Sequence, residues 1–384
     1  MAADSTIAIV IAKVLFWGSL GALAWTQAGY PVAAAVLARV RGKPVRKDDF
    51  EPSVSIVVAA HNEDAVVGSR IENLLAQDYP RDRFEVVVAS DASTDETNAI
   101  VRAIAETNPQ VRLLECERAG KVAAQNRAVR ETTGEIVAFS DANARWAPDA
   151  LRLLVRNFAD PDVAYVCGGH RYETTLGTNR ESTYWRYESW LRRSESALGS
   201  ITGGIGPIYA VRRSDYIENE PRFGHDLGFP YLMAQRGRRA VYEPAAMATE
   251  KPSHNLEDEY HRKVRMLAQS WLHVLSGRML RGGGPLYLTQ IVSHRLLRYG
   301  SGILHLCLLG ANIALVGDGF IYSVALGVQV TWLALAAAGR RRLPLPGAGL
   351  AYYYFLVTLA TLAGLVRYLR FGVPVVWEKA EGTR

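Results

Sequence analysis

A chain of 384 residues, 49% hydrophobic and 21% charged, can bury a substantial core and is long enough for about two domains. Its net charge of +6 leaves nucleic acid as a class to consider, but the basic residues cluster beside apolar segments, which points to a membrane and away from nucleic acid. The three cysteines, Cys116, Cys167 and Cys307, are odd in number and lack CxxC spacing, which excludes a disulfide framework and a zinc site and fits a reducing cytosolic setting.

The first apolar segment runs from about Thr6 to Trp25, with a continuation past Tyr30-Pro31 to Ala38. It is too long for a signal-peptide core and no small-residue cleavage site ends it cleanly. It reaches the about 20 residues that a span needs, despite Lys13. Arg39, Arg41, Lys43, Arg46 and Lys47 follow at once. By the positive-inside tendency they put the next domain in the cytoplasm and the N-terminus outside. The other reading is a buried core helix followed by a basic loop.

From about Val54 the pattern alternates strand and helix. Val54 to Ala60 is a run of β-formers suited to a strand covered on both faces, and His61-Asn62-Glu63 ends it. A helix is expected to Gln77, broken by Tyr79-Pro80. A second strand, Phe84 to Ala89, is followed by Ser90-Asp91-Ala92-Ser93-Thr94-Asp95, then a helix from about Glu96 to Thr107. A third strand is expected at Val111 to Leu114, a helix from Gly120 to Thr132, and a fourth strand at Glu135 to Phe139, ending in Ser140-Asp141-Ala142-Asn143. This βαβαβαβ series predicts a parallel sheet with right-handed crossovers. No GxGxxG follows the first strand and no GxxxxGK[ST] occurs, so a dinucleotide fold and a P-loop enzyme are disfavoured.

Ligands of open α/β sheets gather at the carboxyl ends of strands. The two acidic clusters sit there, where carboxylates can meet a nucleotide and the metal ion on its phosphates. Each also has a local reading: Asp91 and Asp95 as helix caps, Asp141 to Asn143 as a turn. Lys121, after Gly120, is either a cation reaching a phosphate or a solvated surface lysine. A helix from Glu181 to Leu198 interleaves Tyr184, Trp185, Tyr187 and Trp190 with charges; its aromatics suit a core or interface role or an acceptor groove. Gly203, Gly204 and Gly206 either let backbone approach a ligand or mark a turn. Asp226, by itself, reads as a loop or cap residue after Gly224. Arg262, Lys263 and Arg265 lead along a helical stretch to Trp271 and suit a face for anionic lipid or for an anionic ligand.

Residues Leu286 to Leu297 alternate at helical spacing and read as an amphipathic helix in the headgroup layer or a surface helix on the soluble domain. Gly300 to Val316 and Phe320 to Ala338 read as two spans, with Arg340, Arg341 and Arg342 returning to the cytoplasm. Leu350 to Val366 is a third apolar stretch; a simple count leaves Arg367 and Arg370 outside, against the charge rule, so a re-entrant or interfacial course stays open. The segments divide as 1–47, an N-terminal span and basic flank; 48–280, a cytoplasmic domain; and 281–384, an interface helix and C-terminal spans.

Val54 to Glu63, Asp91 to Asp95, Gly120-Lys121 with Asn126, Asp141 to Asn143, Gly203 to Arg213, His225-Asp226 and Arg262 to Arg265 occur in the order seen in family 2 glycosyltransferases, and the chain resembles the membrane-bound, polysaccharide-synthase-like branch of that family. The resemblance covers about Val54 to Trp271. It implies a GT-A-like, Rossmann-type α/β domain with a mostly parallel central sheet, flanked by transmembrane helices. It implies that Glu63 and Asp91 bind the base and ribose, and that Lys121, Arg262 and Arg265 attend the donor. Asp141, with Asn143 where the family carries a second Asp, would hold Mg2+ or Mn2+. Asp226 would be the general base of a single inverting displacement, with His225 where an acidic residue is usual. Gly204, Tyr209, Trp190 and Trp271 are expected on the acceptor side. Processive members carry Gln-x-x-Arg-Trp, whereas this chain has Gln269-Ser270-Trp271, a departure from that pattern. The expected activity moves a sugar from a nucleotide-diphospho-sugar, a UDP-sugar by preference, to a lipid or polysaccharide acceptor at the bacterial-type cytoplasmic membrane. The rival readings are a membrane nucleotidyl- or phosphotransferase, and a non-catalytic scaffold with a degenerate transferase domain.

Overall fold

The computed structural model describes residues 2–172, 179–251 and 256–376. Contacts divide the chain into two units. A sheet unit gathers Ala34–Asn255, Leu275–Thr289 and the chain from Val373; a helical unit gathers the chain up to Ala33, Leu256–Val274 and Gln290–Gly372.

The sheet unit is built on eight strands: β1 (Val54–Ala60), β2 (Phe84–Asp91), β3 (Val111–Cys116), β4 (Ile136–Asp141), β5 (Arg145–Trp146), β6 (Val163–Tyr172), β7 (Tyr209–Arg212) and β8 (Arg239–Glu250). Their spatial order is β3-β2-β1-β4-β7-β6-β8-β5. The first four are mutually parallel, as their alternation with helices requires. Beyond β4 the sheet departs from the simple series: β7 runs antiparallel to β4 and β6, β8 runs parallel to β6, and β5 lies antiparallel on β8. Ile56, Val57, Val58, Val86, Val87 and Val88 are fully buried, which explains why β1 and β2 carry unbroken runs of β-branched residues instead of an alternating pattern. Each such side chain contributes roughly 1.5–3 kcal/mol on burial.

Register sets the functional edge. Ala59 pairs with Ala89 and with Asp141, and Ala60 with Ser90, so β1, β2 and β4 end at one level. Asp91 and Asp141 are the last residues of their strands, slightly beyond where the sequence pattern placed the strand ends. The order reverses at β1, between β2 and β4, and crevices form at such switch points.

Thr6–Arg41 forms one continuous apolar helix, whose length up to Ala33 belongs to the helical unit. Pro31 lacks the N–H that an α-helix needs there. The chain absorbs it with a π-helical turn at Trp25–Gly29, closed by the Tyr30 N–H on the Trp25 carbonyl. A second π-helical turn, Ile291–Leu296, meets the first: the Trp25 indole donates to Ser293 Oγ at 2.9 Å and Thr26 Oγ1 to the Ser293 carbonyl at 2.6 Å. Phe320–Arg340 and Ala348–Phe371 are also long and apolar enough to cross a membrane. At the span expected at Gly300 to Val316 the helix Ser301–Leu315 has 15 residues, short of a full crossing by itself. It passes only jointly with Gly284–Tyr299, from which it bends by 65°.

Trp271 lies in the helical unit, on the helix Leu256–Leu275. Its ring is buried and its indole N–H donates to the Thr361 carbonyl at 2.9 Å. The acceptor-side role expected of it is therefore corrected: it clamps two helices together. On the same helix Arg262 and Lys263 both pair with Glu259, at 2.9 and 3.0 Å. Burial, reinforced by Arg262 and Arg367, lowers the Arg265 guanidinium below its ordinary range.

Candidate active site

The ends of β1 and β2 carry two non-glycine residues in the left-handed region, Asn62 (φ 55°) and Ala92 (φ 52°). Such conformations are sparsely populated and concentrate at functional edges. Here the loops are laced across the gap: Asn62 N–H donates to Ser93 Oγ at 3.1 Å, and Thr94 N–H to Asn62 Oδ1 at 2.8 Å. Glu63 is buried where β1 gives way to the helix Asp64–Leu75, and its N–H donates to Thr97 Oγ1 at 2.7 Å. Asp95 takes the capping role, accepting from Thr97 N–H at 3.0 Å.

Asp91 does not cap that helix. Its buried carboxylate reaches across to the loop after β3. It accepts from the N–H groups of Ala119 and Gly120 at 2.8 and 3.0 Å and pairs with Arg118 at 2.5 Å. Arg118 was invisible as a partner in the sequence, because 27 residues separate it from Asp91. The contact holds Gly120 at φ 90°, a backbone open to glycine. A side chain there would also collide with the carbonyl of Val375, whose carbon would lie 3.1 Å from the added Cβ. Gly120 starts the helix Lys121–Glu131, and that start aims Lys121 at β4.

The Lys121 ammonium forms an ion pair with Asp141. Burial pulls the ammonium down, but the attraction and hydrogen bond of Asp141, with the fields of Asp226 and Glu250, outweigh it, and the net shift is upward. Behind Asp141 stands Arg70, which the sequence reading missed. It is buried, donates to Ser140 Oγ at 2.7 Å, and lies 5.0 Å over the Trp146 ring. Burial lowers it to about 9, against the pull of Asp141. Only hydropathy plus a known sheet register would have singled out Arg70, since Ser140 lies 70 residues away in the chain.

Asp226 opens the helix His225–Gln235, capped by Gly224. Anionic side chains are favoured at a helix start. Burial nonetheless raises its carboxyl, Lys121 and the N–H of Leu227 oppose this, and Asp141 adds to it. The segment Gly203 to Pro207 is fastened around it. Gly204 N–H donates to the Asp226 carbonyl at 2.8 Å, Ile205 N–H to Cys167 Sγ at 3.2 Å, and the Trp146 indole to the Pro207 carbonyl at 2.9 Å. A Cβ at Gly204 would collide with the Tyr165 hydroxyl. A Cβ at Gly206 would lie 3.5 Å from Asp141 Oδ2 and 3.7 Å from Lys121 Nζ. Gly206 thus borders the ion pair, and the Asp141 side chain is 25% exposed.

Asp91 is tied to Gly120 beside Lys121, Lys121 pairs with Asp141, and the segment from Gly204, bonded to the Asp226 carbonyl, to Gly206 borders that ion pair. Asn143 is half-buried in the turn after β4, where Ala144 N–H donates to the Asp141 carbonyl at 3.3 Å. Among the described residues no three His, Cys, Asp or Glu side chains form a metal cage. A divalent ion carried on a diphosphate needs only one or two protein carboxylates, and the partly exposed Asp141 carboxylate beside Gly206 fits that requirement.

Two expectations change here. Tyr209 is not an acceptor contact: its ring is buried against Phe139 at 4.8 Å, and its hydroxyl meets His225 Nδ1 at 3.1 Å and Gln125 Nε2 at 3.3 Å. His225 is core as well. It packs among Phe139, Tyr216 and Phe229, and burial, helped by the Lys121 charge, lowers it to about 3, which leaves it neutral. Trp190 is partly exposed on the helix Asn179–Ala197, its ring 6.3 Å from that of Tyr187. The side chain of Tyr184 lies outside the described residues.

Residues 55–219 match the family model for glycosyl transferase family 2. Over 167 residues the chain is 40% identical to a beta-monoglucosyldiacylglycerol synthase of Synechocystis sp., covering 41% of this chain and 33% of that protein. Over 229 residues it is 24% identical to a poly-beta-1,6-N-acetyl-D-glucosamine synthase of Staphylococcus aureus, covering 58% of this chain and 55% of that protein. The chain thus spans between a third and about half the length of these relatives. Its fold matches the mannosyltransferase PcManGT from Pyrobaculum calidifontis, solved with GDP-Man and Mn2+, with a TM-score of 0.71, 26% identity, and coverage of 94% of this chain and 99% of that one.

Proposed function

This chain carries a glycosyl transferase family 2 domain of GT-A-like fold, and from that premise we propose that it is an inverting glycosyltransferase using a nucleotide-diphospho-sugar. Asp226 takes the proton of the acceptor hydroxyl. The acceptor oxygen bonds to the anomeric carbon as the bond from that carbon to the diphosphate oxygen breaks, and the electron pair leaves with the diphosphate. Lys121 faces that leaving charge, and preorganised cations at such a position lower the barrier. Asp141, with Asn143 beside it, would hold Mg2+ or Mn2+, which would neutralise diphosphate charge. Glu63 and the loop ordered by Asp91 receive the nucleoside, with a UDP-sugar as the preferred donor.

The observation that supports this reading is the short segment Gly204 to Gly206: Gly204 N–H donates to the Asp226 carbonyl at 2.8 Å, and a Cβ at Gly206 would lie 3.5 Å from Asp141 Oδ2 and 3.7 Å from Lys121 Nζ, beside their ion pair. A displacement at one carbon needs a donor-side and an acceptor-side carboxylate that close together. A nucleotidyltransferase has no use for Asp226 as a base. The 40% identity to a beta-monoglucosyldiacylglycerol synthase favours a membrane lipid as acceptor, with a growing polysaccharide as the alternative. The sheet unit and the chain after Gly372 lie on the cytoplasmic side in this reading.

The test is a screen of UDP-glucose, UDP-galactose, UDP-GlcNAc and GDP-mannose on the full chain in detergent, read as released nucleoside diphosphate with and without Mn2+. Release from one donor, dependent on the ion and on Asp141, is expected. Equal release by Asp141→Ala would refute the assignment of Asp141.

A further inference from the structure

Two polar residues of the sheet unit stay outside that assignment and stand near one strand-end level. Glu250 is the last residue of β8 and pairs in register with Tyr172 of β6; His170 lies two residues before Tyr172. His170 Nε2 meets Glu250 Oε2 at 2.8 Å, with side chains 3% and 13% exposed. Nε2 is engaged by Glu250, and the other ring nitrogen, Nδ1, is buried without a hydrogen-bond partner among the described residues. A buried polar atom left unpaired costs about 1–3 kcal/mol, so a partner is expected from outside the described residues. The His170 ring stands edge-on to Tyr172 at 4.7 Å and 5.1 Å from the Trp185 ring. β8 runs parallel to β4, and Thr249, next to Glu250, pairs in register with Arg145, four residues after Asp141.

We propose that Glu250, oriented by His170, receives the hydroxyls of the transferred sugar, in a subsite walled by Tyr172 and Trp185. This rests on the transferase reading above. If Lys121 and Asp141 hold the diphosphate and Asp226 the acceptor hydroxyl, the reacting carbon lies between them, and Glu250 ends β8 at the same carboxyl edge of the sheet at which Asp141 ends β4. It therefore flanks the sugar ring that carries the reacting carbon. A carboxylate fixed by one bond to His170 keeps lone pairs for hydroxyl donors, and hydrogen bonds to a charged group are the stronger kind. A site built this way rejects a sugar lacking the matching hydroxyl, because its own polar group would then be left unpaired. Glu250 touches substrate in this scheme; His170 is a positioning residue.

The experiment uses the full chain in detergent with Glu250→Ala, Glu250→Gln and His170→Gln. The donor selected by the screen is compared with its single-deoxy analogues, and free UDP or GDP affinity is measured by competition. A charged hydrogen bond of about 1.5–3 kcal/mol predicts a loss of ~10- to 150-fold in kcat/KM for the intact donor in Glu250→Ala. The same variant should respond equally to the donor and to one deoxy analogue, with nucleoside diphosphate affinity within about twofold of wild type, since none of the lost bonds goes to the nucleotide. Glu250→Gln, which keeps an acceptor oxygen, should recover part of the discrimination, and it serves as the variant of record if the alanine form does not fold. His170→Gln should blunt discrimination in the same direction. Unchanged discrimination in a folded Glu250 variant overturns the proposal alone, as does an effect confined to acceptor KM. A wild-type chain that releases diphosphate from no sugar nucleotide overturns the transferase reading, and this one with it.

Discussion

Asp226→Asn is the sharpest perturbation, because it keeps shape and removes only the capacity to accept a proton. General-base catalysis contributes about 10²- to 10⁴-fold, or about 2.7–5.5 kcal/mol at the transition state. The backbone contact that fixes the residue, Gly204 N–H on the Asp226 carbonyl at 2.8 Å, does not involve the side chain, so the variant should fold. We predict kcat down by about two to four orders of magnitude, with donor KM and nucleoside diphosphate affinity close to wild type. The pH profile gives a second reading of the same residue. Burial raises the Asp226 carboxyl above its ordinary 3.8, and only the ionised form can act as base. The rate should therefore fall, as pH drops, at a higher pH than an ordinary aspartate would give. Lys121 opposes that rise, so Lys121→Met should move the acid limb upward again, besides weakening donor binding. Initial-rate measurements of diphosphate release between pH 4 and 8 test both statements. An Asp226→Asn variant with kcat within about threefold of wild type would refute the base assignment, and an acid limb at or below the ordinary aspartate value would refute the electrostatic account.

The two glycines flanking the site should behave oppositely. Gly204→Ala drives a methyl into the Tyr165 hydroxyl and to 3.1 Å from the Asp226 carbonyl oxygen, and should cost about 1–3 kcal/mol or more in thermal or denaturant unfolding. Gly206→Ala meets only ordinary contact distances; it should leave stability within about 0.5 kcal/mol but weaken Mn2+-supported donor binding, because the added methyl lies beside Asp141 Oδ2. His225 supplies a test of acid stability. Its folded value of about 3 lies below its ordinary 6.5, so the unfolded chain binds the proton first and stability falls as pH drops from 6.5 towards 3. Each pH unit in that window should cost about 1.4 kcal/mol, and His225→Phe should unfold with a shallower dependence there; equal slopes would refute a neutral buried histidine. A cysteine in place of Val376, in a chain whose native cysteines are replaced, should react with an impermeant thiol reagent in inside-out vesicles and resist it in right-side-out ones.

Much of the parallel half of the sheet was legible, because β1, β2 and β4 are buried on both faces and read as continuous apolar, β-branched-rich runs bounded by acidic loops. Beyond Asn143 the legibility declines. β5 has two residues and β7 four, too short for a periodic signal, and β6 pairs in parallel with β8 only after β7 and two helices have intervened in the chain. In the site, Asp91 and Asp141 could be singled out because carboxylates beside strand ends are locally conspicuous, whereas Lys121 and Asp226 were picked out through the family resemblance. Arg70 and Arg118 could not, since an arginine in an amphipathic helix or a loop looks solvated until its long-range partner is known. Tyr209 and Trp271 misled for the converse reason: an aromatic beside a motif carries no sign of which way its ring faces, and both rings are buried.

The course of the last apolar helix, which the sequence alone left open, is predicted by parity. Val375 packs on Gly120 within the sheet unit, so the segment after Gly372 should share a side of the membrane with the donor loop. The chain must then cross an even number of times between Thr289 and Val373. The positive-inside tendency keeps Arg340, Arg341 and Arg342 on that same side if Ser301–Leu315, with its bent partner, leads outward and Phe320–Arg340 leads back. Ala348–Phe371 then makes no net crossing, and Arg367 and Arg370 join the other basic clusters. Its packing agrees: the Thr361 carbonyl accepts from Trp271, and a Cβ at Gly364 would meet Leu267 at 2.8 Å, so its second half runs against Leu256–Leu275, a helix that is itself no candidate span. Labelling of residue 376 from the outer face would break the parity and return the last helix to a full crossing.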